Sequence, residues 1–154
     1  MKKSEQLKIQ ISVRQQRLTL RSGRKTLAAY PVSTSRFGLG STEGSFKTPT
    51  GKFRVAEKIG DGMAPGTVFK SRRPVKPTKK MLREDDLVMT RILWLDGLEP
   101  RNANTHDRYV YIHGTNHEEE IGTPASHGCV RMKNADVIDL FERVEEGTPV
   151  EIRP

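Results

Sequence analysis

The chain has 154 residues, a single cysteine, 27 Lys+Arg against 19 Asp+Glu, and 34% apolar residues. That length suits one domain able to bury roughly two thirds of its unfolded surface. A lone cysteine excludes a disulfide framework, and the absence of any 18-residue apolar run excludes a membrane-spanning helix from this sequence.

The N-terminal Lys2 and Lys3 could pass for the start of a secretory signal, but no apolar stretch of about 7–15 residues follows them. Instead Leu7, Ile9, Ile11 and Val13 alternate with Lys8, Gln10 and Ser12, which predicts a strand over 7–13. Short strands are expected over 16–20, 26–32 and 53–57, the last fed by a turn in Thr48-Pro49-Thr50-Gly51-Lys52-Phe53. Residues 60–83 hold Gly60, Gly62, Gly66, Pro65, Pro74 and Pro77, with seven basic and no acidic residues between Lys70 and Arg83. This predicts a long basic loop that serves as a lid or as the rim of a binding site. Strands resume over 87–95 and 109–113, and 149–152 suits a last one.

The clearest helix follows the cysteine. Asn134 is the expected N-cap and Asp136 suits the first turn. Val137, Ile138, Leu140, Phe141 and Val144 form an apolar stripe, and Gly147 suits the C-terminal stop. The expected fold class is mainly β (α+β), as a single domain over 1–154. Charge divides along it: residues 1–60 carry 13 Lys+Arg against 3 Asp+Glu, whereas 101–154 carry 6 against 10. The basic half suits an anionic ligand, but it has few aromatics for stacking and no nucleic-acid recognition motif, so no nucleic-acid partner is expected.

The one thiol lies in the acidic half, in Ser126-His127-Gly128-Cys129-Val130-Arg131-Met132. By itself a lone cysteine before valine is as readily a small packed residue as a nucleophile. The surroundings point to chemistry. A thiol attacks only as thiolate, and a neighbouring imidazole supplies that by taking its proton. His113 ends a predicted strand, and a main-chain carbonyl there could hold its Nδ1–H and fix the tautomer. His127, two residues from Cys129, is too close along an extended chain to face it, so it is assigned to shaping the loop or polarising substrate. Gly128 lets the backbone approach substrate and frees the N–H groups of Gly128 and Cys129 to meet an oxyanion. Arg131 suits a substrate carboxylate. A zinc site of His113, His117, His127 and Cys129 has suitable ligand types, but no common structural zinc spacing, so no metal or other cofactor is expected.

Together, His113-Gly114-Thr115, Ile121-Gly122-Thr123-Pro124-Ala125 and SHGCVRM resemble the catalytic signature of the L,D-transpeptidase (YkuD) family, with Thr48–Phe53 similar to its early TPTG block. The resemblance spans about 7–152. It implies a β-sandwich-like, mostly antiparallel fold and acyl transfer on peptidoglycan stem peptides. Cys129 would attack the carbonyl of the third residue, usually meso-diaminopimelate, at its bond to D-Ala. His113 would be the base, oriented by the Gly114 carbonyl, with the backbone of His127, Gly128 and Cys129 as oxyanion hole. Ser126 and Arg131 would contact substrate, Arg131 standing where many members carry asparagine. Members are inhibited by carbapenems. The partner implied is a peptidoglycan-derived tetrapeptide or muropeptide, with no membrane or obligate protein partner. Read at face value, the missing export signal points to the cytoplasm (the periplasm if an upstream leader is absent from this sequence). In the cytoplasm water would be the acceptor, giving L,D-carboxypeptidase cleavage during cell-wall recycling. Cross-linking or D-amino-acid exchange is the alternative, and a non-enzymatic binding module a remote one.

Overall fold

The computed structural model describes residues 6–154; Lys2 and Lys3 lie outside the described residues. The elements, in chain order, are β1 (Leu7–Ser12), β2 (Arg17–Ser22), β3 (Lys25–Ser33), β4 (Gly51–Ile59), β5 (Val68–Lys70), β6 (Arg73–Val75), α1 (Lys79–Glu84), β7 (Val88–Gly97), β8 (Tyr111–Gly114), β9 (Val130–Met132), α2 (Asn134–Arg143) and β10 (Pro149–Arg153). Mainly β with one clear helix after the cysteine, the fold matches the sequence expectation.

Alternation builds the core. Ile9 and Ile11 of β1 face Leu18 and Leu20 of β2, across an antiparallel register that pairs Ile9 with Leu20 and Ile11 with Leu18. Lys8 and Gln10 take the other face. Ten strands form one sheet in the order β4-β10-β1-β2-β3-β9-β8-β7-β5-β6. A further antiparallel pairing of β4 with β7 closes it on itself, which removes two long edges that would otherwise be open to aggregation. Most pairings are antiparallel; β1 with β10 and β8 with β9 are parallel. Inward side chains include Phe53, Val55, Leu93, Leu95, Ile112, Val130 and Met132, and α2 adds Val137, Leu140, Phe141 and the adjoining Val144. The outward face of β7 and β8 carries a second apolar cluster of Phe69, Ile92, Trp94 and Tyr111, against which Cys129 packs.

Three local readings need correction. Residues 60–83 are not one long loop: they hold the β5–β6 hairpin, and α1 begins within them at Lys79. The hairpin turns through Ser71 (φ 48°) and Arg72 (φ 65°), both left-handed without glycine. Three-residue strands and a six-residue helix are too short to show a period. Asn134 is not the N-cap. It is the first helical residue after Lys133, and its own N–H is taken by Glu118 Oε2 at 2.7 Å. Finally β9, three residues centred on a charged arginine, falls inside the SHGCVRM motif, where no strand was expected.

Candidate active site

Strands β8 and β9 lie side by side and parallel, with Ile112 opposite Val130 and His113 opposite Arg131. Val130 and Met132 point into the core, so Arg131 and Cys129 must point the other way, to the side shared with His113 and Tyr111. The parallel pairing thus turns two distant sequence segments into one surface.

Cys129 is half-buried, a free thiol. Its Sγ accepts the N–H of Tyr111 at 3.3 Å and donates to the carbonyl of Tyr109 at 3.4 Å. Burial pushes the thiol up to about 11, with Asp86 adding to the rise, while the Tyr111 N–H, Arg131 and Arg108 oppose it. His113 is buried, and its Nδ1 lies 2.5 Å from the Gly114 carbonyl. A carbonyl can only accept, so Nδ1 carries the proton and Nε2 holds a lone pair. Burial lowers the imidazole's pKa; the Gly114 bond and Asp86 oppose this, and Arg131 adds to it. Both shifts favour the uncharged pair, imidazole and thiol.

Gly114 has room for no side chain: a Cβ would lie 2.3 Å from Asn134 Oδ1 and 2.7 Å from the Met89 carbonyl. Asn134 is held there by Thr90 Oγ1 at 2.6 Å and by its own donation to the Thr115 carbonyl at 2.8 Å. Gly128 takes φ 121°, and a Cβ there would lie only 3.3 Å from the Lys47 carbonyl oxygen.

Two expectations change. Ser126 is buried, and its hydroxyl is committed to the loop itself, donating to the Cys129 carbonyl at 2.6 Å and accepting the Gly128 N–H at 3.3 Å. It shapes the cysteine loop and offers no group to a substrate. Arg131, 2% exposed, already holds two carboxylates, Glu120 at 2.7 Å and Asp86 at 2.9 Å. Both terminal nitrogens are paired and the unpartnered Nε is buried, so the guanidinium presents no open edge to a substrate carboxylate.

His127 is exposed: Nδ1 sits 3.0 Å from Asp86 Oδ2, and the ring rests near Phe37 and Phe46, centroids 5.9 and 6.0 Å away. Asp86 therefore joins His127 to Arg131. Burial alone would raise its pKa, but the Arg131 hydrogen bond, the His113 and Arg131 charges and the His127 bond hold it below the usual range. Nothing in the sequence singled out Asp86, because it precedes β7 and is 43 residues from Cys129. Thr48, inside the TPTG block, also has a visible task. Its hydroxyl accepts the Ser35 N–H and donates to the Gly128 carbonyl, both at 3.0 Å. The four residues weighed for zinc are separately engaged, His117 Nε2 with the Asp85 carbonyl at 2.9 Å. Among the described residues no three His, Cys, Asp or Glu side chains gather as a metal-ion cage.

A sequence profile of the L,D-transpeptidase catalytic domain (YkuD) matches residues 6–152. The chain belongs to the L,D-transpeptidase catalytic-domain family. Over 144 residues it is 27% identical to the putative L,D-transpeptidase YkuD of Bacillus subtilis, covering 94% of this chain and 64% of that protein. It is 48% identical over 46 residues to the putative L,D-transpeptidase YqjB of the same organism, 30% of this chain and 26% of the other. Its fold matches the L,D-transpeptidase of Xylanimonas cellulosilytica with TM-score 0.64 at 19% identity, covering 99% and 63% of the two chains. It also matches the L,D-transpeptidase LdtMt1 in complex with imipenem, with TM-score 0.61 at 20% identity and 97% and 59% covered. This L,D-transpeptidase domain spans less than two thirds of each of these relatives. Among its described residues no helix is long and apolar enough to cross a membrane.

Proposed function

We propose that this domain transfers acyl groups from peptidoglycan tetrapeptides, breaking the L,D bond between meso-diaminopimelate and D-Ala, with Cys129 as nucleophile and His113 as base. The observation that carries this reading is the Gly114 carbonyl on His113 Nδ1, which leaves Nε2 as the proton acceptor on the face that Cys129 shares. With imidazole and thiol both uncharged at rest, the proton moves as the attack proceeds. Sγ bonds to the substrate carbonyl carbon while its proton passes to Nε2. The main-chain N–H groups of His127 and Cys129 stabilise the oxyanion, the Gly128 N–H being taken by Ser126 Oγ. When the C–N bond breaks, the imidazolium returns the proton to the departing D-Ala amine, leaving a thioester.

We infer that water then cleaves the thioester, restoring the thiol and releasing a tripeptide. This L,D-carboxypeptidase reading draws on Cys129 being only partly buried, which would let water reach a thioester formed there. An amine acceptor is the second reading, favoured by the L,D-transpeptidase names of the relatives. Incubation with a disaccharide tetrapeptide, with and without a second peptide amine, separates the two by product mass. Loss of D-Ala without a dimer is expected, whereas a dimer as main product replaces hydrolysis by transpeptidation. Imipenem is expected to add its mass to the native protein and not to Cys129→Ala. A Cys129→Ala variant with full turnover would end the enzymatic account.

A further inference from the structure

With Arg131 consumed by two carboxylates, a substrate carboxylate needs another cation near the thiol. Arg72 lies over the Trp94 and Tyr109 rings, 4.8 and 5.2 Å from their centroids, and donates to the Tyr111 hydroxyl at 3.2 Å. Arg108 stands differently. Its guanidinium donates to two main-chain carbonyls, Lys47 at 2.9 Å and Gly40 at 3.4 Å, and among the described residues no carboxylate is bonded to it. Burial lowers its pKa, with the Cys129 and Glu43 charges acting against that from farther off. A partly desolvated cation without a bonded counter-ion gains most when an anion arrives.

Its place is set by the same parts that build the cysteine loop. The Lys47 carbonyl that receives Arg108 is the one that closes over Gly128. The next residue, Tyr109, takes φ 57°, and its carbonyl accepts from Sγ. A bulky residue in the left-handed region is strained. The contacts around it hold this strained turn, which places one carbonyl on the thiol and the Arg108 fork one residue upstream.

We propose that Arg108 is a substrate-binding residue, recognising the C-terminal carboxylate of a peptide whose last residue is the leaving group at Cys129. The identity of that peptide rests on the proposed function; an anion subsite beside the thiol does not.

Two alkylating reagents separate the questions. Iodoacetate and iodoacetamide each form an S–C bond and expel iodide, but only the first is an anion. Their rate ratio, divided by the ratio for N-acetylcysteine at the same pH, cancels the thiolate fraction. The native protein is expected to prefer iodoacetate, and Arg108→Gln to lower the preference about tenfold, the worth of one charge-assisted hydrogen bond. Arg54→Gln, which removes a remote charge paired with Asp96, controls for net charge and changes the ratio less than about twofold by screening. No preference in the native protein, or one that persists in Arg108→Gln, overturns the proposal. Should that variant not fold, Arg108→Lys replaces the fork by a point charge, and an unchanged ratio there is equally fatal. In a second arm, a tetrapeptide is compared with its C-terminal carboxamide. The native enzyme should favour the carboxylate, and Arg108→Gln should erase this through KM. Equal native turnover of both peptides overturns the proposal. An intact iodoacetate preference with neither peptide cleaved leaves the anion subsite standing and sinks the peptidoglycan reading.

Discussion

His113 and Arg131 stand opposite each other across the parallel pair β8–β9, both buried. The guanidinium charge disfavours the imidazolium and favours the thiolate. It is tolerated inside the protein because Asp86 and Glu120 balance it.

Arg131→Met removes that charge and leaves both carboxylates without their cation. Asp86 and Glu120 are 31% and 43% exposed and keep access to water. The loss should therefore fall short of the ~3–5 kcal/mol for breaking a fully buried pair, at about 2 kcal/mol in urea unfolding at pH 7. Proton NMR of the His113 ring should show its pKa rising in the same variant. An unchanged ring titration would mean that the guanidinium field does not reach the imidazole.

The acid limb of stability belongs partly to His113. Its folded pKa lies below the ordinary imidazole value of 6.5 because burial resists the charge. Above pH 6.5 folded and unfolded chains are both neutral there, and the group costs nothing. As pH falls below 6.5 the unfolded chain takes the proton first, and stability drops until the folded pKa is reached. His113→Gln should flatten the fall between pH 6.5 and 5, measured by denaturant midpoints; a slope identical to native would contradict the burial argument.

Cys129 governs the alkaline limb with the same logic. Its ordinary value is 9.0 and its folded value about 11. Its contribution is complete below pH 9 and is lost as pH rises towards 11, because the unfolded thiol ionises first. Cys129→Ala should be less sensitive to that rise, and iodoacetamide should modify the native thiol slowly at pH 7. Rapid labelling at pH 7 would show a thiolate already formed.

Gly114→Ala would drive a Cβ against the Asn134 side chain and the Met89 carbonyl. Backbone cannot yield cheaply, so a loss of about 3 kcal/mol is expected. Turnover should fall further than stability, since Gly114 itself carries the carbonyl that orients His113. Gly122→Ala, at φ 103° with nothing within 4 Å, should cost about 1 kcal/mol from backbone strain alone. Equal effects from the two substitutions would remove the steric explanation.

Legibility in the sequence followed the range of the interaction. The alternation in 7–13 and the helical stripe after Asn134 are local patterns, and both elements formed where expected. The hairpin β5–β6 and strand β9 are too brief to carry a period, and β9 exists only because β3 and β8 flank it. The commitments of Ser126 and Arg131 are illegible in the sequence for a related reason. A hydroxyl or guanidinium looks available in a sequence until its partners, here the Cys129 carbonyl and the Asp86 and Glu120 carboxylates, are brought to it.

By itself the sequence determined the residue types of the site, the tautomer-setting neighbour of His113 and the glycine beside the thiol where backbone can come close. These are consequences of one residue and its immediate chain. Only the tertiary structure decided which charges those residues meet. Asp86 reaches Arg131 and His127 across more than 40 positions, Thr48 holds the Gly128 carbonyl from 80 positions away, and among the described residues no carboxylate is bonded to Arg108. Electrostatics inside a protein depends on distance and desolvation in space, and neither is written along the chain.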